Sequence, residues 1–215
     1  MCMYKSNCGG DLNMDMPVIV KEKTCFFAGH RPYKFTYLPE EEEEFYSKLS
    51  ADITNAVQDM YNKGCDTFLC GGSIGFDVMC GEAVIEFKNQ HPEVRLVCVL
   101  PFENHHEEFS PEWKNRFTKV LDACDFIDYF SPIYVMGCYY DRHQKMIDNS
   151  EYMITYFDGK SGGTARVIAA AQSAKLKITN LFEEPPVPEN ITFFVGYDYN
   201  DQTKTSSNKP NVIKK

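Results

Sequence analysis

The sequence predicts a doubly wound α/β domain of Rossmann-like type, with a mainly parallel sheet and helices on both faces. Three observations carry this expectation. Short apolar runs alternate with helical stretches of about a dozen residues from Thr24 to Leu181, the rhythm of βαβ units rather than of hairpins. Two runs end in glycine turns that open an apolar helix. One is Cys70-Gly71-Gly72-Ser73-Ile74-Gly75-Phe76-Asp77, after Thr67-Phe68-Leu69; the other is Ser161-Gly162-Gly163-Thr164, after Tyr152 to Phe157. The run Val94-Arg95-Leu96-Val97-Cys98-Val99-Leu100 is almost wholly apolar, as a central strand covered on both faces must be.

The elements follow in order. Residues 1–22 lack periodicity and read as a flexible leader. Thr24 to Ala28 is a buried strand that ends in the loop Gly29-His30-Arg31-Pro32, because Pro32 resists ladder pairing. Pro39 starts a helix, with Glu40 to Glu44 in its first turn complementing the dipole. Phe45, Leu49, Ile53, Val57 and Met60 recur at spacings of three and four on its apolar face, and Gly64 stops it. Asp66 to Cys70 is the next strand and Phe76 to about Asn89 its helix. The strand Val94 to Leu100 ends at Pro101-Phe102, followed by a helix from Glu112 to Cys124 and a strand from Phe126 to Phe130. Tyr139 to Asn149 is helical, Tyr152 to Phe157 a strand, Thr164 to Ala174 an alanine-rich helix, and Lys177 to Leu181 the last strand. The folded domain thus spans residues 23–183. Residues 184–215 form an extension broken by Pro185, Pro186 and Pro188. In it, Ile191 to Val195 is expected as an edge strand or a contact with another chain, before a disordered basic tail.

Composition narrows the function. A hydrophobic share of 43% with 25% charged residues fits one globular domain with a core of its own. No run approaches the roughly 20 apolar residues of a membrane span, and no apolar signal core opens the chain, so a cytoplasmic location is expected. Nine cysteines without a C-x-x-C pair are read as reduced thiols, with Cys70 and Cys80 packing beside the first glycine turn. A net charge of −9 argues against nucleic acid as a partner, since such binding runs on phosphate neutralisation. A membrane surface is not expected either.

Ligands of such sheets bind beyond the carboxyl ends of the strands. That rule selects Gly29, His30, Arg31 and Pro32; Gly71, Gly72, Ser73, Gly75, Phe76 and Asp77; Pro101 and Phe102; and Gly162, Gly163 and Thr164. A strand, a glycine turn and a helix start aim free N–H groups and a positive dipole end at an anion, and two such turns fit one extended phosphate-bearing ligand. Arg31 suits bidentate phosphate contact. The loops do not match the P-loop or the dinucleotide pattern G-x-G-x-x-G, so P-loop ATP hydrolysis is not expected and a nicotinamide or flavin site has little support.

The motifs Ala28-Gly29-His30-Arg31-Pro32, Gly71-Gly72-x-x-Gly75-x-Asp77, Pro101-Phe102, Arg142-x-x-x-Met146-Ile147-Asp148-x-Ser150, Tyr156-x-Asp158-Gly159 and Gly162-Gly163-Thr164 resemble, in order, those of the YpsA-like branch of the SLOG superfamily. That superfamily also holds the DNA-processing protein DprA and the LOG-type phosphoribohydrolases. The resemblance implies a Rossmann-like fold and a nucleotide or ADP-ribose-like ligand, with no further cofactor assigned. It adds Arg142 as a ligand clamp, with Asp148 beside it. LOG-type enzymes carry P-G-G-x-G-T-x-x-E, whereas Ala165-Arg166-Val167-Ile168 follows Thr164 here, without that carboxylate. His143 stands where relatives often carry asparagine.

Asp77 is the best-placed catalytic candidate, as a helix-start charge, a ribose contact or an acid–base group. His30 faces the same edge, while Asp158-Gly159 suits a turn. His105 and His106 with Glu107 and Glu108 are expected on a mobile loop, with no third metal ligand at a recognisable spacing. Phe102, Phe109, Trp113 and Tyr139-Tyr140 are candidates to stack on a base. The expected function is binding or sensing of a nucleotide-derived small molecule. The alternative is hydrolysis or transfer at the N-glycosidic bond of a nucleoside monophosphate. A DprA-like single-stranded DNA partner ranks third, and a homo-oligomer is compatible with the fold.

Overall fold

The computed structural model describes residues 18–183. Six strands form one sheet: β1 (Thr24–Phe27), β2 (Thr67–Cys70), β3 (Arg95–Phe102), β4 (Phe126–Ser131), β5 (Tyr152–Thr155) and β6 (Lys177–Asn180). Their spatial order is β4-β3-β2-β1-β5-β6, and every neighbouring pair is parallel. Five helices connect them: α1 (Glu42–Asn62), α2 (Phe76–Lys88), α3 (Pro111–Ala123), α4 (Cys138–Asp148) and α5 (Gly163–Ser173). The expected doubly wound Rossmann-like fold is therefore present.

Strand alternation divides the core in two. Cys25 and Phe27 of β1 and Leu96, Cys98 and Leu100 of β3 face one side, where they meet the apolar stripes of α1, α2 and α3. Phe26, Val97 and Val99 face the other and meet Met146 and Ile147 of α4 and Val167 and Ala171 of α5. Successive residues of a strand point to opposite faces, so each strand supplies both cores and reads as a continuous apolar run. The chain steps outward from β1 to β4, then returns through α4 to β5 on the far side of β1. The direction of winding reverses between β1 and β5, the place where open α/β sheets leave a crevice.

Element ends depart from expectation for local reasons. Pro39 opens a 3₁₀ turn, and α1 proper begins at Glu42. β3 does not stop before Pro101-Phe102 but runs through them. β2 has ended there, so the missing proline N–H costs no bond on that side, and β4 still pairs at Phe102 with Ser131. β5 ends at Thr155 rather than Phe157, because the Phe157 N–H donates to the side-chain Oδ1 of Asn180 at 3.0 Å instead of to a strand. Of the expected leader, residues 18–22 are described: Lys21 begins a 3₁₀ turn and Ile19 packs against the second core. The expected edge strand at Ile191 to Val195 and the basic tail lie outside the described residues. Among those described, no helix is long and apolar enough to cross a membrane.

Candidate functional site

The crevice between β1 and β5 opens into a cleft of about 210 Å³. Gly29 and Arg31 from the loop after β1, Ser73 and Asp77 from the turn after β2, Arg142 of α4, and Gly163 and Thr164 of α5 all line it. Seven sequence-selected residues therefore meet at one edge, although up to 135 positions separate them. Ala28, Tyr33, Lys34, Tyr139, His143 and Val167 complete the lining.

Two amides of the first glycine turn, with that of Gly29, are turned onto buried groups. The Gly29 N–H donates to Asp77 Oδ1 at 3.2 Å, the Ser73 N–H also serves the Asp77 carboxylate, and the Phe76 N–H donates to the His30 carbonyl at 3.2 Å. Gly75 is required here: its φ is +87°, and a Cβ would stand 2.9 Å from the His30 carbonyl oxygen. At Gly71 the constraint is close approach, since a Cβ would stand 2.4 Å from Arg142 Nη1, whose hydrogen bond goes to the Gly71 carbonyl. Gly72 offers its own carbonyl to His105 Nε2 at 3.2 Å.

Two opposite charges are buried together at the floor. Asp77 is 2% exposed and Arg142 1% exposed. Burial pushes the Asp77 carboxyl up to about 6, against the opposing pull of Arg142 and of its backbone donors. Burial likewise lowers the Arg142 guanidinium, while Asp77 draws it back up. Arg142 Nη2 contacts His143 Nε2, and its buried Nε has no hydrogen-bond partner among the described residues. His143 is held well below the usual imidazole range by burial and by Arg142, which keeps it neutral.

The opposite wall is the start of α5. No side chain caps this helix, so its first-turn amides retain their donor capacity toward the cleft edge. A Cβ at Gly163 would meet open space, and Lys34 Nζ lies 2.7 Å from where a Cβ of Gly162 would be. Lys34 reaches this point because Pro32 starts a 3₁₀ turn, Pro32–Lys34, that folds the chain back toward β5. Arg31, Lys34 and Arg142 thus gather three cations around a helix N-terminus in a chain of net charge −9.

Other selected residues support the site instead of lining it. His30 is buried, with Nε2 2.8 Å from Asp158 Oδ1 and Nδ1 3.3 Å from Thr164 Oγ1, and so ties the β1 loop to α5. Pro32 packs on Gly75, and the Phe76 ring fills the space beside Gly29. Phe102 lies behind Tyr139, ring centroids 6.1 Å apart. Asp148 is not brought to the site: it is exposed, accepts from Gln144 Nε2 at 2.8 Å, and the carboxylate beside Arg142 is Asp77. The loop bearing His105 is pinned, not free. His105 is buried among Phe102, Phe109 and Phe117, and its imidazole is lowered to about 4 by burial. Among the described residues no group of three or more His, Cys, Asp or Glu is placed to hold a metal. Trp113 lies under Arg116, 4.3 Å from its ring centroid, and lines a different cavity.

This fold and this cleft define a Rossmann-like domain with a cation-lined crevice at the carboxyl edge of its sheet. The chain belongs to the YpsA family of SLOG proteins, whose model matches residues 25–181. It is similar to a UPF0398 protein of Staphylococcus epidermidis, 22% identical over 176 residues, covering 81% of this chain and 93% of that one. A UPF0398 protein of Staphylococcus haemolyticus is 20% identical over 146 residues, covering 67% and 78%. Among solved structures, DNA processing protein A from Helicobacter pylori, described for its single-stranded DNA binding mode, superposes with a TM-score of 0.50 at 15% identity. The match covers 76% of this chain and 66%, just under two thirds, of that one. At that identity the likeness shows the shared fold alone.

Tyr33 and Lys34 were not legible as site residues in the sequence. The available signal was a basic residue two places after a proline in a crevice loop.

Proposed function

We propose that this protein binds a nucleotide-derived small molecule, with a phosphate seated between Lys34, Arg31 and the first turn of α5. The observation that carries this reading is the concentration of three cations around an uncapped helix N-terminus, in a chain that is otherwise acidic. The buried Arg142 Nε adds a donor still in want of an acceptor.

Thermal unfolding against nucleoside mono- and triphosphates, NAD, ADP-ribose, cyclic nucleotides and ribose 5-phosphate tests it. A ligand at 100 times its Kd adds about 2.7 kcal/mol, roughly 5 to 10 °C for a domain of this size. A shift lost in Arg31→Ala and Lys34→Ala supports the assignment; a flat panel from folded protein sinks it.

One observation favours catalysis as a second reading. Asp77 lines the cleft with its carboxyl raised to about 6, a value suited to proton transfer near neutrality. As an acid–base group it would assist departure of a base from a nucleoside monophosphate. Chromatography of such substrates after incubation would then show free base, lost in Asp77→Asn. Single-stranded DNA binding, described for the Helicobacter protein, has the acidity of this chain against it.

A further inference from the structure

The cleft shares a wall with a second space. A groove of about 290 Å³ runs between α4 and α5, and Tyr139, His143, Gly163 and Val167 line both it and the cleft. Past this shared wall the groove is bounded by Tyr140, Ile147 and Ala170. The two spaces differ in chemistry: the cleft gathers Arg31, Lys34, Arg142 and Asp77, while the groove presents mainly aromatic and aliphatic side chains beside a neutral imidazole, with Gln144 and Arg166 its other polar members.

Size links them. The cleft, at about 210 Å³, falls below the roughly 300 to 1,000 Å³ that small-molecule sites occupy. Cleft and groove adjoin along their four shared residues and together offer about 500 Å³, within that range. Exposure points the same way. Tyr140 is 64% exposed and Tyr139 37% exposed, so two rings stand in solvent next to the cleft that gathers Arg31, Lys34 and Arg142. Any base can stack on such a ring, because each has a π-face.

We propose that the α4–α5 groove is the second half of the ligand site, taking the uncharged planar portion of a molecule whose phosphate occupies the cleft. The ligand is then a two-part molecule, a nucleoside phosphate or dinucleotide-like phosphate, rather than a phosphorylated sugar alone. This rests on the phosphate-binding reading above. It assigns the groove an occupant because the groove adjoins that site, with Tyr139, His143, Gly163 and Val167 lining both.

The test compares AMP, ADP-ribose and ribose 5-phosphate by calorimetry on the full chain, its Tyr140→Ala variant and its Ala170→Trp variant. Tyr140 and Ala170 line the groove and not the cleft. Tyr140→Ala removes a ring at the surface, and Ala170→Trp fills the groove. The expected result is that the unaltered protein binds AMP or ADP-ribose more tightly than ribose 5-phosphate. Both variants then lose at least about tenfold for the nucleotide while ribose 5-phosphate stays within twofold, tenfold being 1.4 kcal/mol.

Unchanged nucleotide affinity in both variants overturns the proposal, and so does an equal loss for ribose 5-phosphate. If the groove is instead covered by a second copy of the chain, light scattering will show a dimer that Ala170→Trp splits while nucleotide affinity holds; that also overturns it. Failure of the unaltered protein to bind any of the three removes the phosphate-binding reading itself and the groove's role with it. Retention of ribose 5-phosphate binding alone removes only the groove.

Discussion

Asp77 contributes stability that falls as pH rises, the reverse of an ordinary paired carboxylate. Its carboxyl stands near 3.8 without perturbation and is raised to about 6 in the folded chain by burial. A raised folded pKa means that the native state holds the proton more tightly than the unfolded chain. The associated stability is complete below pH 3.8 and is lost as pH rises through 6. At 1.36 kcal/mol per unit, the full change is about 3 kcal/mol. His105 works in the opposite direction over the same window. Its folded value of about 4 lies below 6.5, so its contribution is lost as pH falls and amounts to about 3 kcal/mol as well. The two nearly cancel in the unaltered protein, which is why the test needs Asp77→Asn. Urea unfolding of both proteins from pH 4 to 8 yields a difference in stability from which His105 and the surface carboxylates drop out. That difference should move against the unaltered protein by about 2.5 kcal/mol between pH 4 and 7.5, most of it below pH 6.5. A flat difference, or one that moves in favour of Asp77 as pH rises, refutes the account of a carboxyl dominated by burial.

Other variants probe separate parts of the same edge. His105→Gln, compared in the same way, should show a difference of opposite sign, with the unaltered protein gaining about 3 kcal/mol from pH 4 to 7. Gly71→Ala places a methyl 2.4 Å from Arg142 Nη1, so the guanidinium must leave the Gly71 carbonyl. A stability loss of about 1–3 kcal/mol by denaturant midpoint is expected, with weaker binding of any phosphate ligand. His30→Ala removes the imidazole that bridges Asp158 and Thr164 and should cost about 1–3 kcal/mol; a loss under 0.5 kcal/mol would show that the bridge between β1 and α5 carries little. Phe68→Ala, fully buried in the middle of β2, should cost about 3–5 kcal/mol and lower the thermal midpoint without a pH signature.

The fold was legible because every strand is an apolar run and every helix carries its own periodic stripe. Pairing order was not, since α4 gives no local sign that it carries the chain back to the far side of β1. At the site, the glycine turns and Arg31, Asp77, Arg142 and Thr164 could be selected by their place after strands. Which turn offers free amides could not. That depends on Asp77 and the His30 carbonyl, whose burial against the turn after β2 is a tertiary event. Lys34 was hidden for the same kind of reason, because its partner wall at Gly162 lies 128 residues away and is reached only through the 3₁₀ turn at Pro32. Asp148 misled because six residues along a helix amount to about 600° of rotation, which puts it on a different face from Arg142.

The flank that carries the start of α5, the proposed phosphate seat, is also the most lightly anchored part of the sheet. α5 buries Val167 and Ala171, and β6 has no fully buried residue, whereas α1 alone sinks Leu49, Ile53, Ala56, Val57 and Met60. Segments with few buried contacts open most readily, exchanging amide hydrogens well before the rest of the domain. A molecule bridging Arg142 and Lys34 to the start of α5 would act as a tether on that breathing edge. The empty protein would loosen at α5 and β6 first, and occupancy would be felt there as slowed exchange, while β2 and β3 behave alike in both states.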